Sequence, residues 1–272
     1  MPDTGFTIRA FEADDTARIS FLQPEGWEDI VPFFEFYLQV PFCRPVIGVC
    51  NEAIAGVGCA IVNGPSGWIA HIIVGDEYRR RGYGRAITEH CINGLERAGC
   101  ETQLLIATAA GEPLYRALGF TTVSIYNFYH APRIAAGTDP RIRPLRKGDA
   151  EAVFDLDREL MGEDRRHVLE WYGTGGWGFF DAPASGLRGF YLPAAGEGLV
   201  IARDDDAGTA LLALKHSKRA CKTVLPGENA RGNEFLVSLG CERYIEAPRM
   251  IRGRPIGWHP RALFSRIGGW YG

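Results

Sequence analysis

From Ala53 to Gly75 the chain carries no lysine, arginine, aspartate or glutamate. A stretch of that length satisfies its backbone either as a helix across a bilayer or as strands buried inside a protein. The run NGPSG at 63–67 decides between them, because Asn, Gly and Pro interrupt a helix while β-branched flanks favour extended chain. A buried hairpin is expected, with AIAGVGCAIV (53–62) and GWIAHIIV (67–74) as its arms. Covering both arms takes a substantial core, and 272 residues, 46% of them hydrophobic, supply one large domain or two of ordinary size.

Charge and cysteine usage narrow the function. A net charge of -3 gives the protein as a whole no attraction for nucleic acid, so any anion site must be a local concentration of positive charge. The start, MPDTGFTIRAFEADD, lacks the basic head and apolar middle of a secretion signal. No membrane association is expected, and the expected location is cytoplasmic. Seven cysteines in apolar contexts, without paired or metal-ligand spacing, are expected to be reduced, buried and free of metal.

Along the chain, FTIRAF (6–11) reads as a strand and ADDTARISFLQ as a helix capped by Asp14 or Asp15. WEDIVPFFEFYLQV (27–40) reads as partly helical, and RPVIGVC (44–50) as the strand before the hairpin. After RRRGYG (79–84), Ile87, Cys91, Leu95 and Ala98 recur at helical spacing until Gly99. QLLIAT (103–108) is a buried strand, EPLYRALGF (112–120) a short helix from Pro113 to Gly119, and TTVSIYNFYH (121–130) a strand.

The start of a helix leaves backbone N–H groups unpaired and carries partial positive charge. Gly82 and Gly84 let an anion approach those groups, and Arg79, Arg80, Arg81 and Arg85 surround the point with cations. A diphosphate fits such a loop. RRRGYG resembles the Arg/Gln-x-x-Gly-x-Gly/Ala signature of the GNAT superfamily of acyl-CoA-dependent N-acyltransferases, and it stands after the fourth strand as it does there. LYRALGF (114–120) resembles that family's second landmark, a tyrosine followed by Gly-Phe, at the family's separation of one helix and one strand.

The resemblance covers about residues 5–130 and implies acetyl-CoA as donor. It implies that backbone groups of Ile72, Ile73 and Val74 pair with the pantetheine arm in a gap between the fourth and fifth strands. The amides from Arg79 through Gly84, Tyr83 among them, would hold the pyrophosphate with Arg85 alongside, and Tyr115 would act as general acid toward the leaving thiolate. Two positions depart from the pattern. Ala70 stands where many relatives place a carboxylate base, and Thr108 where many have an asparagine touching the cofactor. His71 is next to Ala70, but strand alternation turns it away unless a bulge re-aims it. Water-relayed deprotonation, Glu28 and Glu35 are the alternatives for the base. In the family the segment after the first helix roofs the acceptor, which makes Glu28, Phe33, Phe34 and Tyr37 candidate substrate contacts, though aromatic stripes also serve cores.

A second cycle then begins. TIRAFEADDTARISFL (7–22) and RIRPLRKGDAEAVFDL (141–156) share an Ile-Arg pair followed by Asp15 or Asp149, and NEFLVSLGC (233–241) echoes EPLYRALGF. The expected fold is therefore α/β (α+β), two tandem GNAT-like domains, each a mixed, mostly antiparallel sheet flanked by helices. Residues 1–135 would be catalytic and 140–272 degenerate. MGEDRRHVLEW and APRM resemble the degenerate C-terminal domain of some tandem GNAT proteins. In ARDDDAGTALLAL (202–214), Asp204, Asp205 and Asp206 replace the phosphate loop, Leu236 replaces the tyrosine, and Asn229 is retained. Trp258 and Trp270, in the aromatic tail, are expected to be buried.

The functional expectation is direct transfer of acetyl from acetyl-CoA to a primary amine of a small molecule, by a monomer or homodimer without metal. A non-catalytic acyl-CoA sensor on the same fold is the alternative, which the missing carboxylate suits. An acetyltransferase of protein lysines or N-termini is a third.

Overall fold

The computed structural model describes residues 5–135, 137, 139–181 and 186–272; Ala136 and Thr138 of the expected boundary lie outside them. The chain forms two compact units. The first comprises Met1–Leu105, Pro113–Phe120 and Ile251–Arg254, and the second Ile106–Glu112, Thr121–Met250 and Pro255–Gly272. This division differs from a single cut between 135 and 140, because the chain crosses between units before and after the LYRALGF helix and again near its end.

In the first unit lie β1 (Phe6–Ala10), α1 (Val31–Gln39), β2 (Cys43–Cys50), β3 (Ala53–Asn63), β4 (Ser66–Val74), α2 (Tyr83–Arg97) and most of β5 (Thr102–Ile106) and α3 (Glu112–Ala117). β1 to β4 make an antiparallel meander, and β5 joins β4 in parallel. The uncharged stretch is the β3–β4 hairpin, paired from Asn63–Ser66 to Gly56–Val74. It avoids charge because most of both arms is buried, and α2 lays Ile87, Cys91 and Leu95 over Gly58 and Gly67.

ADDTARISFLQ is not an α-helix. It forms two 3₁₀ turns, Ala13–Arg18 and Ser20–Leu22. Asp15 accepts the Arg9 guanidinium at 2.7 and 2.8 Å and the Glu12 amide at 2.9 Å, so its carboxylate ties the turn back to β1. The bond to Arg9 holds the Asp15 carboxyl below its ordinary pKa.

The second unit contains β6 (Thr121–Ala131), β7 (Ile142–Pro144), α4 (Ala150–Met161), α5 (Arg166–Tyr172), β8 (Trp177–Phe180), β9 (Leu187–Leu192), β10 (Leu199–Ala202), α6 (Asp205–Lys218), β11 (Cys221–Pro226), α7 (Ala230–Ser238), most of β12 (Arg243–Gly253) and β13 (Leu263–Ser265). One antiparallel sheet has the order β13-β10-β9-β8-β7. β12, β6 and β11 are neighbours in that order, with β6 and β11 antiparallel.

Both sequence echoes are structural echoes. Arg143 meets Asp149 at 2.7 and 3.0 Å and the Arg146 amide donates to the same carboxylate at 2.7 Å, repeating the Arg9–Asp15–Glu12 arrangement. α3 and α7 also end alike. Phe120 N donates to Tyr115 O at 3.0 Å and Cys241 N to Leu236 O at 3.1 Å, with Gly119 and Gly240 at φ 88° and 78°. Six of the seven cysteines are buried, Cys221 being half-buried, and all are free thiols. Trp270 is buried and Trp258 half-buried. Among the described residues no helix is long and apolar enough to cross a membrane.

The last residues of β12, Ile251–Gly253, belong to the first unit beside β5. Thr102 Oγ1 donates to Arg254 O at 2.6 Å, and Arg254 N donates to Glu101 O at 3.0 Å. Gly253 has φ +92°, and a Cβ there would lie 2.1 Å from Glu101 O. Gly253→Ala should therefore cost roughly 3 kcal/mol, read as a lower midpoint in urea unfolding at unchanged slope.

Candidate functional site

β4 and β5 part company early. Their parallel ladder covers only Ser66–Thr102, Gly67–Gln103 and Trp68–Leu104, while β4 runs on to Val74. Ile72, Ile73 and Val74 thus lie on a stretch of β4 that pairs with β3 on one side and not with β5 on the other. An extended amide-bearing chain could pair with that open edge.

The loop that follows ends in α2. Gly82 stands at its N-cap with φ 84°, and no side chain caps the helix. Arg80 also has positive φ, 62°, a strained setting for a non-glycine residue. The arginines are not equivalent. Arg79 is bound to Asp76 at 2.7 Å and to Val74 O at 3.2 Å, so it braces the loop. Arg85 pairs with Glu89 at 2.9 Å. Arg80 and Arg81 are exposed, with Arg81 5.8 Å from the centre of the Tyr78 ring. The Tyr83 side chain is core: it stacks on Phe6 at 4.1 Å and its hydroxyl lies 3.2 Å from Cys50 Sγ. Only its amide can serve a ligand. Beside this loop a cavity of about 720 Å³ is lined by Phe21, Leu22, Ile54, Val74, Tyr78 and Arg79.

His71 is re-aimed by a bulge. Val57 faces Ile73 and Cys59 faces Ala70, so His71 and Ile72 share one opposing residue, Gly58. His71 has φ 49°. Ile72 turns toward α2, its Cδ1 2.7 Å from where a Cβ on Gly58 would sit. His71 turns to α1, where Tyr37 Oη lies 2.7 Å from its Nδ1 and the Phe33 and Phe34 rings stand 4.9 and 6.1 Å away. Burial among these rings lowers its pKa to about 4, so the imidazole is neutral at pH 7.

Phe33, Phe34, Tyr37 and His71 therefore come together. Glu28 and Glu35 are exposed. Sequence reasoning missed Trp27, whose ring meets His71 edge-on at 5.9 Å while remaining 42% exposed, although it opens the aromatic run. It also missed Gln23, which carries no sequence signal. Its amide donates to Trp27 O and Glu28 O, both at 3.1 Å, and accepts from Ile30 N at 3.0 Å, fixing that wall.

α3 brings Tyr115 to the same unit, with Leu114 Cδ2 3.8 Å from the Cβ position of Gly84. Tyr115 is buried, edge-on to Phe120 at 6.0 Å, and burial raises its phenol pKa, with Cys91 adding to the effect. Thr108 belongs to the second unit, where its hydroxyl accepts from Gly111 N at 3.1 Å and caps the turn before α3. In the second unit, α6 is capped by a side chain of its own. Asp204 accepts from Ala207 N at 3.0 Å at the start of α6, and Asp205 and Asp206 follow in the first turn. Among the described residues no group of three or more His, Cys, Asp and Glu is placed to hold a metal.

Residues 44–122 match the family model described as an acetyltransferase (GNAT) domain. The ribosomal protein bS18-alanine N-acetyltransferase of Escherichia coli (strain K12) is 38% identical over 63 residues, 22% of this chain and 43% of that enzyme. The chain thus matches less than half the length of its curated relatives. A protein from Pyrococcus horikoshii shares the fold over 100% of this chain and 98% of its own, at TM-score 0.86 and 20% identity. A tandem GNAT protein from the clavulanic acid biosynthesis pathway does so over 92% and 98%, at TM-score 0.61 and 13% identity.

Proposed function

Because the chain carries a GNAT acetyltransferase domain, we propose that it transfers acetyl from acetyl-CoA to the primary amine of a small molecule. The observation that carries this reading is the open edge of β4 running into an uncapped α2 at Gly82. Donor groups of the chain are unspent at both places, and an amide-rich arm ending in a diphosphate needs both. Bound there, acetyl-CoA supplies an acetyl group activated as a thioester. The amides around Gly82 and Gly84, with Arg80 and Arg81, hold the pyrophosphate, and Tyr115 donates a hydrogen bond to the departing sulfur.

His71 serves as the base. When Nδ1 donates to Tyr37 Oη, Nε2 keeps a lone pair for the proton the amine sheds as it attacks. Tyr37 is a positioning residue, fixing that tautomer. Because the folded pKa is about 4 against 6.5 ordinarily, activity should hold as pH falls through 6 and decline only near 4. The same shift makes folding less favourable from pH 6.5 down to 4, where the unfolded chain takes up a proton that folded His71 refuses. His71→Gln should lower kcat by about 10² or more. Tyr37→Phe should lower kcat about tenfold with acetyl-CoA affinity unchanged, and a normal kcat in both variants returns the base to water.

A peptide amino terminus is the second reading, favoured by the exposure of Trp27 and Phe21, 42% and 61%. Calorimetry with acetyl-CoA, followed by thiol release over small amines and short peptides, tests both. No heat of binding removes the proposal. Binding with silence on every amine leaves the non-catalytic sensor.

A further inference from the structure

Residues 18–30 form a wall that touches β4 twice. Gln23 folds that wall, its amide donating to Pro24 O, Trp27 O and Glu28 O and accepting from Ile30 N. At one end the Trp27 ring stands edge-on to His71 at 5.9 Å. At the other, a Cβ on Gly75 would lie 3.2 Å from Leu22 Cδ2 and 3.6 Å from Phe21 Cε2. Gly75 N still donates to Ala55 O at 3.0 Å, so the strand stays extended to that point. Past the bulge, Ile72 and Val74 turn toward α2, and His71 and Gly75 therefore share the opposite face. Four residues of extended chain set the two contacts roughly 13 Å apart.

The far end of the wall borders a cavity. Phe21, Leu22 and Pro24 line its volume of about 720 Å³ together with Ile54, Val74 and Tyr78. Phe21 and Trp27 keep 61% and 42% of their surface open, so both ends can still cover an apolar group. The cations of the cavity, Arg18 and Arg79, stand 3.7 Å from Asp15 and 2.7 Å from Asp76. Glu25 and Glu77, also in its lining, are exposed and make no ion pair among the described residues. Such a rim opposes an acceptor that is itself a carboxylate, and the apolar walls oppose one rich in hydroxyls.

We propose that the acceptor is an amphipathic primary amine. Its nitrogen sits at His71, and an uncharged, aryl-ended body runs along Trp27 to Phe21, Leu22 and the cavity. The inference rests on acyl transfer at His71 and adds the class of amine, with Trp27 and Phe21 as its specificity determinants.

The test uses the full-length protein with benzylamine, phenethylamine, phenylpropylamine and phenylbutylamine. Thiol release from acetyl-CoA gives KM and kcat, and calorimetry in saturating CoA gives the Kd of each amine. Both KM and Kd should fall about threefold for each added methylene. Glucosamine and glycine should show KM at least about a hundredfold above that of phenylbutylamine. Phe21→Ala should raise KM about tenfold for phenylbutylamine and at most about twofold for benzylamine, with kcat unchanged, whereas Trp27→Ala should raise KM for the whole series. Turnover with equal KM along the series, or a Phe21→Ala effect of equal size at both ends of it, overturns the inference and leaves acyl transfer standing. Length-dependent binding without thiol release on any amine does the reverse. Short peptides used in preference to every free amine also overturn the inference, in favour of the peptide reading.

Discussion

Gly82→Glu is expected to bind acetyl-CoA at least about a hundredfold more weakly than wild type in calorimetry. Gly82 holds φ 84° at the N-cap of α2, a conformation that costs any side chain roughly 1–2 kcal/mol. A glutamate there would also set a negative charge where the diphosphate must approach. Losing two charge-assisted hydrogen bonds at about 1.5–3 kcal/mol each accounts for the size of the effect. Gly84→Ala separates binding from folding. Its Cβ would meet Val74 Cγ2 at 3.6 Å and Leu114 Cδ2 at 3.8 Å, both ordinary contacts, so the unit should keep its Tm. Affinity should still fall about tenfold, because the methyl group stands between anion and amides. Full affinity in Gly82→Glu would move the donor away from this loop.

Tyr115→Phe is expected to lower kcat by about 10²–10³ while leaving the acetyl-CoA Kd unchanged. Burial, assisted by Cys91, holds the phenol above its ordinary pKa. It stays protonated across the working range, and complete transfer of its proton to a thiolate would be uphill. Its contribution is therefore a hydrogen bond to developing negative charge, and no basic limb in the rate profile should belong to it. A turnover equal to wild type would return Tyr115 to packing against Phe120.

The fold was legible wherever one local rule decided the outcome. The uncharged hairpin, the helix of Ile87, Cys91 and Leu95, and the Gly119 and Gly240 stops each follow from periodicity or turn chemistry. The Ile-Arg echo was legible too, and it marks a salt-bridged turn made twice. What failed to show was long-range. Helical patterning makes Asp14 or Asp15 a helix cap, because the partner of Asp15 on β1 does not show in that pattern. The re-aiming of His71 depends on a register slip against Val57 and Cys59, which strand alternation alone does not reveal. Gln23 acts only through three backbone contacts of its folded loop, and Tyr83 carried its signal in the backbone while its ring went to the core.

The contact between Thr102 and Arg254 spans 152 residues of chain. A nascent polypeptide released at residue 135 would leave one flank of β5 bare, an invitation to foreign strands. The amino-terminal half must therefore wait, incomplete, until Ile251–Arg254 has been made. Any plasmid that encodes this half by itself should yield inclusion bodies, whereas splicing Ile251–Arg254 back behind a short linker should restore a soluble product.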